Sequence, residues 1–319
     1  MNLAELNKVA QAMTAPGKGI LAADESTGTI KKRFDGIGVE CTEDSRRDYR
    51  EMLFRAAEGM RNISGVILYD ETIWQKAKDG TPLVEIIKKS GALPGIKVDE
   101  GTKPLTNCPG ELITSGLDKL PDRLPKYYEQ GARFAKWRAV IDIGAGIPTY
   151  TAIHTNAHAL ARYAARCQAA QIVPIVEPEV LMDGDHDVDR CLEVTTWVLK
   201  TQFEELYHQR VALEGMVLKP NMAIPGKKSV KRASVDEVAE KTVKMLRNCV
   251  PGAVPGIAFL SGGQSDEEAT AHLDAMNKIG NLPWRLTFSY GRALQHAPQK
   301  AWSGRSENEI GRASCRERV

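Results

Sequence analysis

The sequence predicts a single (β/α)8 barrel, and three observations lead to this fold class. The chain has 319 residues, which is enough for one large barrel. Short apolar runs alternate with helix-like stretches, a pattern typical of a parallel sheet. Eight such runs occur, and eight strand–helix units in one chain indicate a closed barrel. No linker-like stretch divides them, so we expect one catalytic α/β domain over residues 1–308.

The predicted strands are short runs rich in apolar residues. They cover residues 19–25, 65–70, 95–100, 134–143, 172–179, 215–221, 256–262 and 286–292. The clearest helices are predicted at 42–61, 155–171, 187–208, 234–249 and 265–279. The helix at 155–171 is rich in alanine, the strongest helix former. The helix at 265–279 begins with Ser-Asp-Glu-Glu, which combines an N-cap with acidic residues near the positive end of the helix dipole.

Composition excludes several classes of protein. Hydrophobic residues make up 42% and charged residues 26%, an ordinary globular balance. The formal net charge of +2 is too small to indicate electrostatic binding of nucleic acid or of an anionic membrane. The amino terminus lacks a secretory signal pattern, and no apolar run approaches the roughly 20 residues that span a bilayer. Six scattered cysteines without a CxxC pair favour reduced thiols in a cytoplasmic enzyme.

Charged residues interrupt the predicted strands, mostly near their carboxyl ends. They are Asp24, Lys97, Lys136, Arg138, Glu177, Glu179, Lys219 and Arg292. Buried parallel strands are usually almost continuously apolar, so these charges need a purpose. Any one of these residues could instead form a structural ion pair that fixes the strand register, with no role in catalysis. Register alone would not gather charges at one end, whereas barrel enzymes carry their chemistry at the carboxyl-terminal mouth.

A lysine in such a pocket predicts imine chemistry. Nearby cations and a low dielectric favour the neutral amine, which attacks a ketone to give a carbinolamine and then an imine. The protonated imine accepts electrons from a breaking C–C bond, and carboxylates transfer the protons. This chemistry requires no metal and no organic cofactor. Lys219, in VLKPN, has the most apolar flank, but Lys97 and Lys136 also lie in apolar runs and remain alternatives.

Two segments predict a phosphate site. The seventh predicted strand ends in SGGQS (261–265) and the eighth in SYGR (289–292). Glycine lets the backbone approach an anion closely, Arg292 adds a permanent cation, and barrels often bind phosphate between these loops. The segment ESTGTIKKR (25–33), together with Lys97 and Arg138, could hold a second phosphate, although a solvated helix start is the alternative for 25–33. Two anion sites around an imine-forming lysine suit a bisphosphorylated ketose.

The same segments carry a resemblance to a known family. GILAADEST, GIKVDEG, FAKWR, IVPIVEPE, LKPNM, FLSGGQS and LTFSYGRAL occur in family order, and on them the chain closely resembles the class I fructose-bisphosphate aldolases. The resemblance implies a glycolytic lyase that cleaves fructose 1,6-bisphosphate to dihydroxyacetone phosphate and glyceraldehyde 3-phosphate. It also implies a homotetramer.

The resemblance further implies individual roles. Lys219 would form the Schiff base, and Glu177 would be the main acid and base, supported by Glu179. Asp24 would orient the substrate and assist cleavage, and Lys136 would keep the nucleophile neutral and polarise substrate oxygens. The C1 phosphate would be held by Ser261, Gly262, Ser289, Gly291 and Arg292. The region of the other phosphate would be lined by Ser26, Thr29, Arg33, Lys97 and Arg138.

The chain departs from the family after Asn308. Residues 309–319 read EIGRASCRERV, which looks like a translated sequencing adapter, so we interpret them as a non-native tail. Any other codon series in the encoding DNA would contradict this interpretation.

Three rival functions remain at this point. A metal-dependent aldolase needs clustered ligands, but only His154 and His158 have metal-like spacing, and we interpret them as surface residues at a helix start. Another Schiff-base barrel acting on a phosphorylated ketose, such as a transaldolase-like transferase, would need an acceptor sugar. A non-catalytic scaffold would have no reason to combine Lys219, Glu177 and Asp24.

Overall fold

The protein folds into a closed barrel of eight parallel strands, as predicted. A computed structural model describes residues 1–308. Around the barrel the strands are ordered β1-β10-β9-β8-β7-β6-β3-β2, so each neighbour along the wall is also the next barrel strand along the chain. The predicted non-native tail, residues 309–319, lies outside the described residues. No helix in the described range is long and apolar enough to cross a bilayer.

The ten strands overlap all eight predicted runs and add a small hairpin. The barrel strands are β1 (Gly19–Ala23), β2 (Ile63–Leu68), β3 (Leu93–Lys97), β6 (Phe134–Ile141), β7 (Val173–Val180), β8 (Val217–Leu218), β9 (Gly256–Phe259) and β10 (Arg285–Tyr290). The hairpin, β4 (Thr102–Pro104) with β5 (Leu112–Thr114), is antiparallel and was not predicted. Most barrel strands end before the predicted boundary. Asp24, Lys219 and Arg292 therefore lie just beyond strands rather than inside them.

Within residues 1–308, twelve α-helices surround or close the barrel. They are α1 (Leu3–Met13), α2 (Thr27–Asp35), α3 (Glu43–Arg55), α4 (Ala57–Met60), α5 (Asp70–Trp74), α6 (Leu83–Lys89), α7 (Leu120–Glu129), α8 (Tyr150–Ala169), α9 (Val188–His208), α10 (Val235–Cys249), α11 (Asp266–Ile279) and α12 (Arg292–Trp302). The predicted helix at 42–61 is wrong as a single element, because the backbone leaves the helical region at Ala56 and separates α3 from α4. Ser234 and Ser265 are N-caps as their sequence contexts suggest.

Apolar residues fill the barrel at its amino-terminal end. Residues early in the strands, among them Ile20, Phe134 and Val217, form one buried cluster with Leu6 and Met13 of α1. Helix α1 thus packs under the barrel and closes this end. The charged residues lie at the opposite end, which leaves the carboxyl-terminal mouth as the entrance for a ligand.

One consequence is that Gly95 should not accept a side chain. A Cβ atom there would lie 2.3 Å from the ring of Phe134, which is fully buried. We expect Gly95→Ala to lower the free energy of unfolding by roughly 1–3 kcal/mol, as overpacking does. Urea denaturation measures this. Gly28→Ala is the control, because a Cβ atom at Gly28 meets nothing within 4 Å. Equal stability of the two variants would contradict the packing argument.

Candidate active site

Four of the predicted site residues form one buried chain of opposite charges. Asp24 follows β1, Lys136 lies on β6, Glu177 lies on β7 and Lys219 follows β8. Lys136 Nζ is 2.8 Å from Asp24 Oδ2 and 3.5 Å from Glu177 Oε2, and Lys219 Nζ is 3.1 Å from Glu177 Oε1. The side chains are at most 12% exposed. Glu177 therefore lies between the two lysines and contacts each through a different oxygen.

Strand alternation places these side chains inside the barrel. Lys136 and Arg138 flank Trp137, whose ring is buried 5.5 Å from the ring of Tyr163 on α8. Trp137 thus faces the helices, as its position between the two cations suggested. The register of β6 and β7 places Arg138 opposite Glu177, and Arg138 Nε donates a hydrogen bond to Glu179, two residues further along β7. The charges occur as interlocking pairs along neighbouring strands.

The ion pairs determine which groups are charged. Burial alone would raise the pKa of Asp24, but Lys136 and Lys219 outweigh it and lower that pKa to about 2. Burial likewise opposes ionisation of Glu177, yet the cations of Lys219, Lys136 and Arg138 lower its pKa. For Lys136 the carboxylates of Asp24 and Glu177 overcome desolvation and raise the pKa. Near pH 7 the site therefore presents two carboxylates and a firmly protonated Lys136.

Asp99 belongs to the site and was missed by the sequence analysis. Its Oδ1 lies 3.2 Å from Lys97 Nζ, and its Oδ2 accepts a 3.4 Å hydrogen bond from the backbone N–H of Arg138. Asp99 is buried and thus links two predicted phosphate-site cations. The signal was present in the sequence, because Asp99 follows Lys97 by two residues in KVDEG.

The loop after β9 approaches the barrel mouth through glycine. Gly263 has a φ of +79°, and a Cβ atom there would lie 2.6 Å from Cβ of Met182. Ser289 lies on the neighbouring strand β10, one residue before its end, and its buried hydroxyl has no hydrogen-bond partner among residues 1–308. A buried hydroxyl without a partner is costly unless it meets a ligand. That these two segments bind an anion stays a prediction, with which both features are compatible.

Arg292 connects this loop to the next segment. As the first residue of α12 it donates from Nη2 to the carbonyl oxygen of Gln264 over 2.6 Å. Its Nη1 also lies 3.2 Å from the Asp266 carboxylate. Arg292 therefore links the segment after β10 to the loop after β9, the two segments in which the phosphate site is predicted. Ser261, Gly262, Ser289, Gly291 and Arg292 belong to these two segments.

The second predicted cation cluster is partly neutralised. Ser26 and Thr29 lie at the start of α2, with their hydroxyl oxygens 3.1 Å apart. Arg33 Nη1 contacts the buried Glu25 Oε1 at 2.5 Å. Lys31 pairs with the exposed Asp35 on the surface of the same helix. Arg33 is thus held toward the barrel by a buried carboxylate. Lys31 is exposed to solvent, as expected if this segment is an ordinary solvated helix start.

The two histidines with metal-like spacing have another partner. Helix α8 begins at Tyr150, so His154 and His158 are not at its start, which corrects the prediction. Both are about half-exposed, and they contact opposite oxygens of Glu205 on α9 at 3.0 and 2.8 Å. Within residues 1–308 no group of three or more His, Cys, Asp or Glu side chains has an arrangement that could hold a metal ion.

The fold and the site define a barrel enzyme with paired lysines and carboxylates at its mouth. The family model described as fructose-bisphosphate aldolase class I matches residues 5–317. The chain therefore belongs to the class I fructose-bisphosphate aldolase family, as the resemblance implied.

Individual relatives agree with this membership. A Xanthomonas campestris protein named "Probable fructose-bisphosphate aldolase class 1" is 58% identical over 303 residues, which is 95% of this chain and 91% of the relative. Cytosolic fructose-bisphosphate aldolase 6 of Arabidopsis thaliana is 56% identical over 92% of this chain and 82% of the relative. The fructose-bisphosphate aldolase of Plasmodium falciparum, solved with TRAP and an inhibitor, has a TM-score of 0.96 and 47% identity, covering 98% of this chain and 90% of that one.

The lowered pKa of Asp24 makes a prediction about stability. Its pKa falls from 3.8 to about 2 on folding, so the ionised carboxylate stabilises the native state above about pH 4. This contribution, on the order of 2 kcal/mol, is lost as the pH falls toward 2. We expect the melting temperature of Asp24→Asn to lie below that of the wild type at pH 5, and the gap to narrow by pH 3.

Calorimetry at pH 3, 4 and 5 measures this gap. Asp142→Asn is the matched control, because Asp142 is an exposed aspartate beyond β6 and we expect little change from its loss. A gap between Asp24→Asn and the wild type that stays constant from pH 5 to pH 3 would contradict the prediction.

Proposed function

We propose that this chain reversibly cleaves fructose 1,6-bisphosphate to dihydroxyacetone phosphate and glyceraldehyde 3-phosphate through an imine on Lys219. Membership of the family supports the reaction. The observation that carries the assignment of the nucleophile is the 3.1 Å approach of Lys219 Nζ to Glu177 Oε1, with both side chains buried at the barrel mouth. A nucleophile and its base need contact of this kind.

The first half of the reaction forms the imine. The amine of Lys219 attacks the C2 carbonyl of the ketose, and the carbonyl oxygen takes up a proton from solvent to become the hydroxyl of a carbinolamine. Glu177 accepts the proton lost by the nitrogen and returns it to the departing hydroxyl, which leaves as water. The product is a protonated imine. The ionised state of Glu177 in the free enzyme suits the initial role of proton acceptor.

The second half breaks the C3–C4 bond. Glu177 takes the proton from the C4 hydroxyl, C4 becomes the aldehyde of glyceraldehyde 3-phosphate, and the bonding electrons move into the imine to give an enamine. Protonation at C3 and addition of water then release dihydroxyacetone phosphate and the free amine of Lys219. Asp24 orients the substrate during cleavage, and the protonated Lys136 polarises its oxygens. Glu179, which holds Arg138, supports Glu177 from the same strand.

The phosphates are the second part of the proposal. The C1 phosphate would be bound by Ser261, Gly262, Ser289, Gly291 and Arg292, and the buried free hydroxyl of Ser289 supports this assignment. Ser26, Thr29, Arg33, Lys97 and Arg138 would line the region of the other phosphate. Arg33, Lys97 and Arg138 each contact a carboxylate in the free protein. A phosphate binding there would share or displace those carboxylates.

We also propose that the protein is a cytoplasmic homotetramer. Family membership and the cytosolic Arabidopsis relative support both statements, and the scattered cysteines suit a reducing compartment. Size-exclusion chromatography with light scattering should give a particle of four chain masses. A single chain mass at micromolar concentration would contradict the tetramer without affecting the assignment of the nucleophile.

Trapping by borohydride tests the nucleophile directly. Incubation of the protein with fructose 1,6-bisphosphate and borohydride should leave a reduced adduct on Lys219, which peptide mass spectrometry locates. We expect Lys219→Met to form no adduct and to lose at least about 10⁴-fold in kcat, as removal of a nucleophile does. Lys18→Met is the matched control, because Lys18 precedes β1 at the closed end of the barrel and its loss should leave kcat unchanged. An adduct on Lys97 or Lys136 instead would overturn the assignment.

A further inference from the structure

The phosphate loop, residues 261–265, is held firmly at two points. Gly263 packs its left-handed backbone against Met182. Ser265 caps α11, because its hydroxyl accepts the N–H of Glu268 over 3.1 Å while the Glu268 carboxylate accepts the N–H of Ser265 over 2.8 Å. Between these two points lies Gln264, whose peptide orientation decides how the loop faces the barrel mouth.

The side chain of Gln264 turns away from the mouth and into the protein. It is 5% exposed, and its Oε1 lies 2.7 Å from Nδ1 of His272 on α11, which is itself buried. Because an amide oxygen can only accept, the imidazole donates this hydrogen bond. Burial lowers the pKa of His272, although Glu268 acts in the opposite direction, so the ring is neutral near pH 7.

The backbone of Gln264 faces the opposite direction and contacts the predicted phosphate ligands. Its carbonyl oxygen accepts the 2.6 Å hydrogen bond from Arg292, and its N–H donates to the carbonyl oxygen of Ser261 over 3.2 Å. One residue therefore joins His272 on one side to Arg292 and Ser261 on the other. The N–H and the carbonyl group of Gln264 belong to the two peptide units on either side of its Cα atom, so a shift of the Gln264 backbone would disturb both contacts.

We propose that His272 is a positioning residue for phosphate binding. By fixing the side chain of Gln264 it fixes the Gln264 backbone, whose two neighbouring peptide units contact Arg292 and Ser261 and align them with the C1 phosphate. The proposal rests on the proposed function, which assigns that phosphate to Ser261 and Arg292. His272 itself does not touch the substrate, so its loss should weaken recognition of the phosphate and leave imine formation by Lys219 intact.

Asp266 provides the competing explanation. Its carboxylate contacts Arg292 at 3.2 Å, and it could hold the guanidinium without help from Gln264. The Arg292 side chain is half-exposed, however, and ion pairs in that setting contribute little. The carbonyl of Gln264 is the shorter contact and belongs to the loop itself. If Asp266 were sufficient, loss of His272 would leave phosphate binding unchanged.

The experiment compares two ketones in borohydride trapping on Lys219. Dihydroxyacetone phosphate carries the phosphate, and dihydroxyacetone lacks it. For His272→Leu we expect the concentration of dihydroxyacetone phosphate that gives half-maximal trapping to rise about five- to tenfold, as loss of a buried hydrogen bond does. The value for dihydroxyacetone should stay within a factor of about two of the wild type, because that ketone makes no phosphate contacts.

Two further variants separate positioning from general damage. His272→Asn puts an amide N–H near the place of Nδ1, and we expect it to restore most of the wild-type value. Gln264→Met removes the same hydrogen bond from the other partner at similar volume, so it should match His272→Leu. The double variant should show no further rise, because the two residues act as a unit. Gln264→Met also serves as the test if His272→Leu does not fold in a melting experiment.

The outcomes are distinct. An unchanged half-maximal concentration for dihydroxyacetone phosphate in His272→Leu and Gln264→Met overturns the proposal for His272 while leaving the proposed function standing. An equal rise for both ketones overturns it as well, because the loss is then not one of phosphate recognition. Absence of any adduct in the wild type overturns the proposed function, and the role of His272 with it.

Discussion

The ion-paired chain Asp24–Lys136–Glu177–Lys219 is the constraint on which the rest of the structure depends. Charges removed from water are costly unless each has a partner; within this chain Asp24 depends on Lys136, and Lys219 depends on Glu177. These residues come from four strands or strand ends. Their pairing therefore requires the correct strand order and register, and it requires an apolar layer beneath them. Helix α1 completes that layer from the closed end of the barrel.

The cations that we propose to bind phosphate already contact carboxylates. Arg33 contacts Glu25, Arg138 contacts Glu179, and Arg292 contacts Asp266. The formal net charge of the chain is only +2, so attraction of an anionic sugar depends on these local groups rather than on the whole molecule. A phosphorylated ligand would have to share or replace carboxylate partners. In the free protein the carboxylates stabilise these cations. A ligand that replaces them has to supply negative charge of its own, which favours a sugar with a phosphate at both ends.

The sequence analysis succeeded where chemistry is local. All eight barrel strands overlap predicted runs, and the predicted N-cap at Ser265 is present. It failed where the answer depends on distant residues. The helix predicted at 42–61 is interrupted at Ala56, and the spacing of its apolar residues does not indicate an interruption there. The contact between Gln264 and His272, which lie eight positions apart with the start of α11 between them, also had no sequence signal.

The sequence by itself determined the barrel, the identity of the chemical groups and the end of the barrel at which they gather. Strand and helix periodicity, together with charges at the carboxyl ends of apolar runs, contain that information. Only the tertiary structure decided the partners. It put Glu177 in contact with Lys219 and Lys136, and it tied Arg33 to Glu25 and Lys97 to Asp99. The reason is physical: a pattern shows which face a side chain occupies, whereas pairing depends on distances between strands that only packing sets.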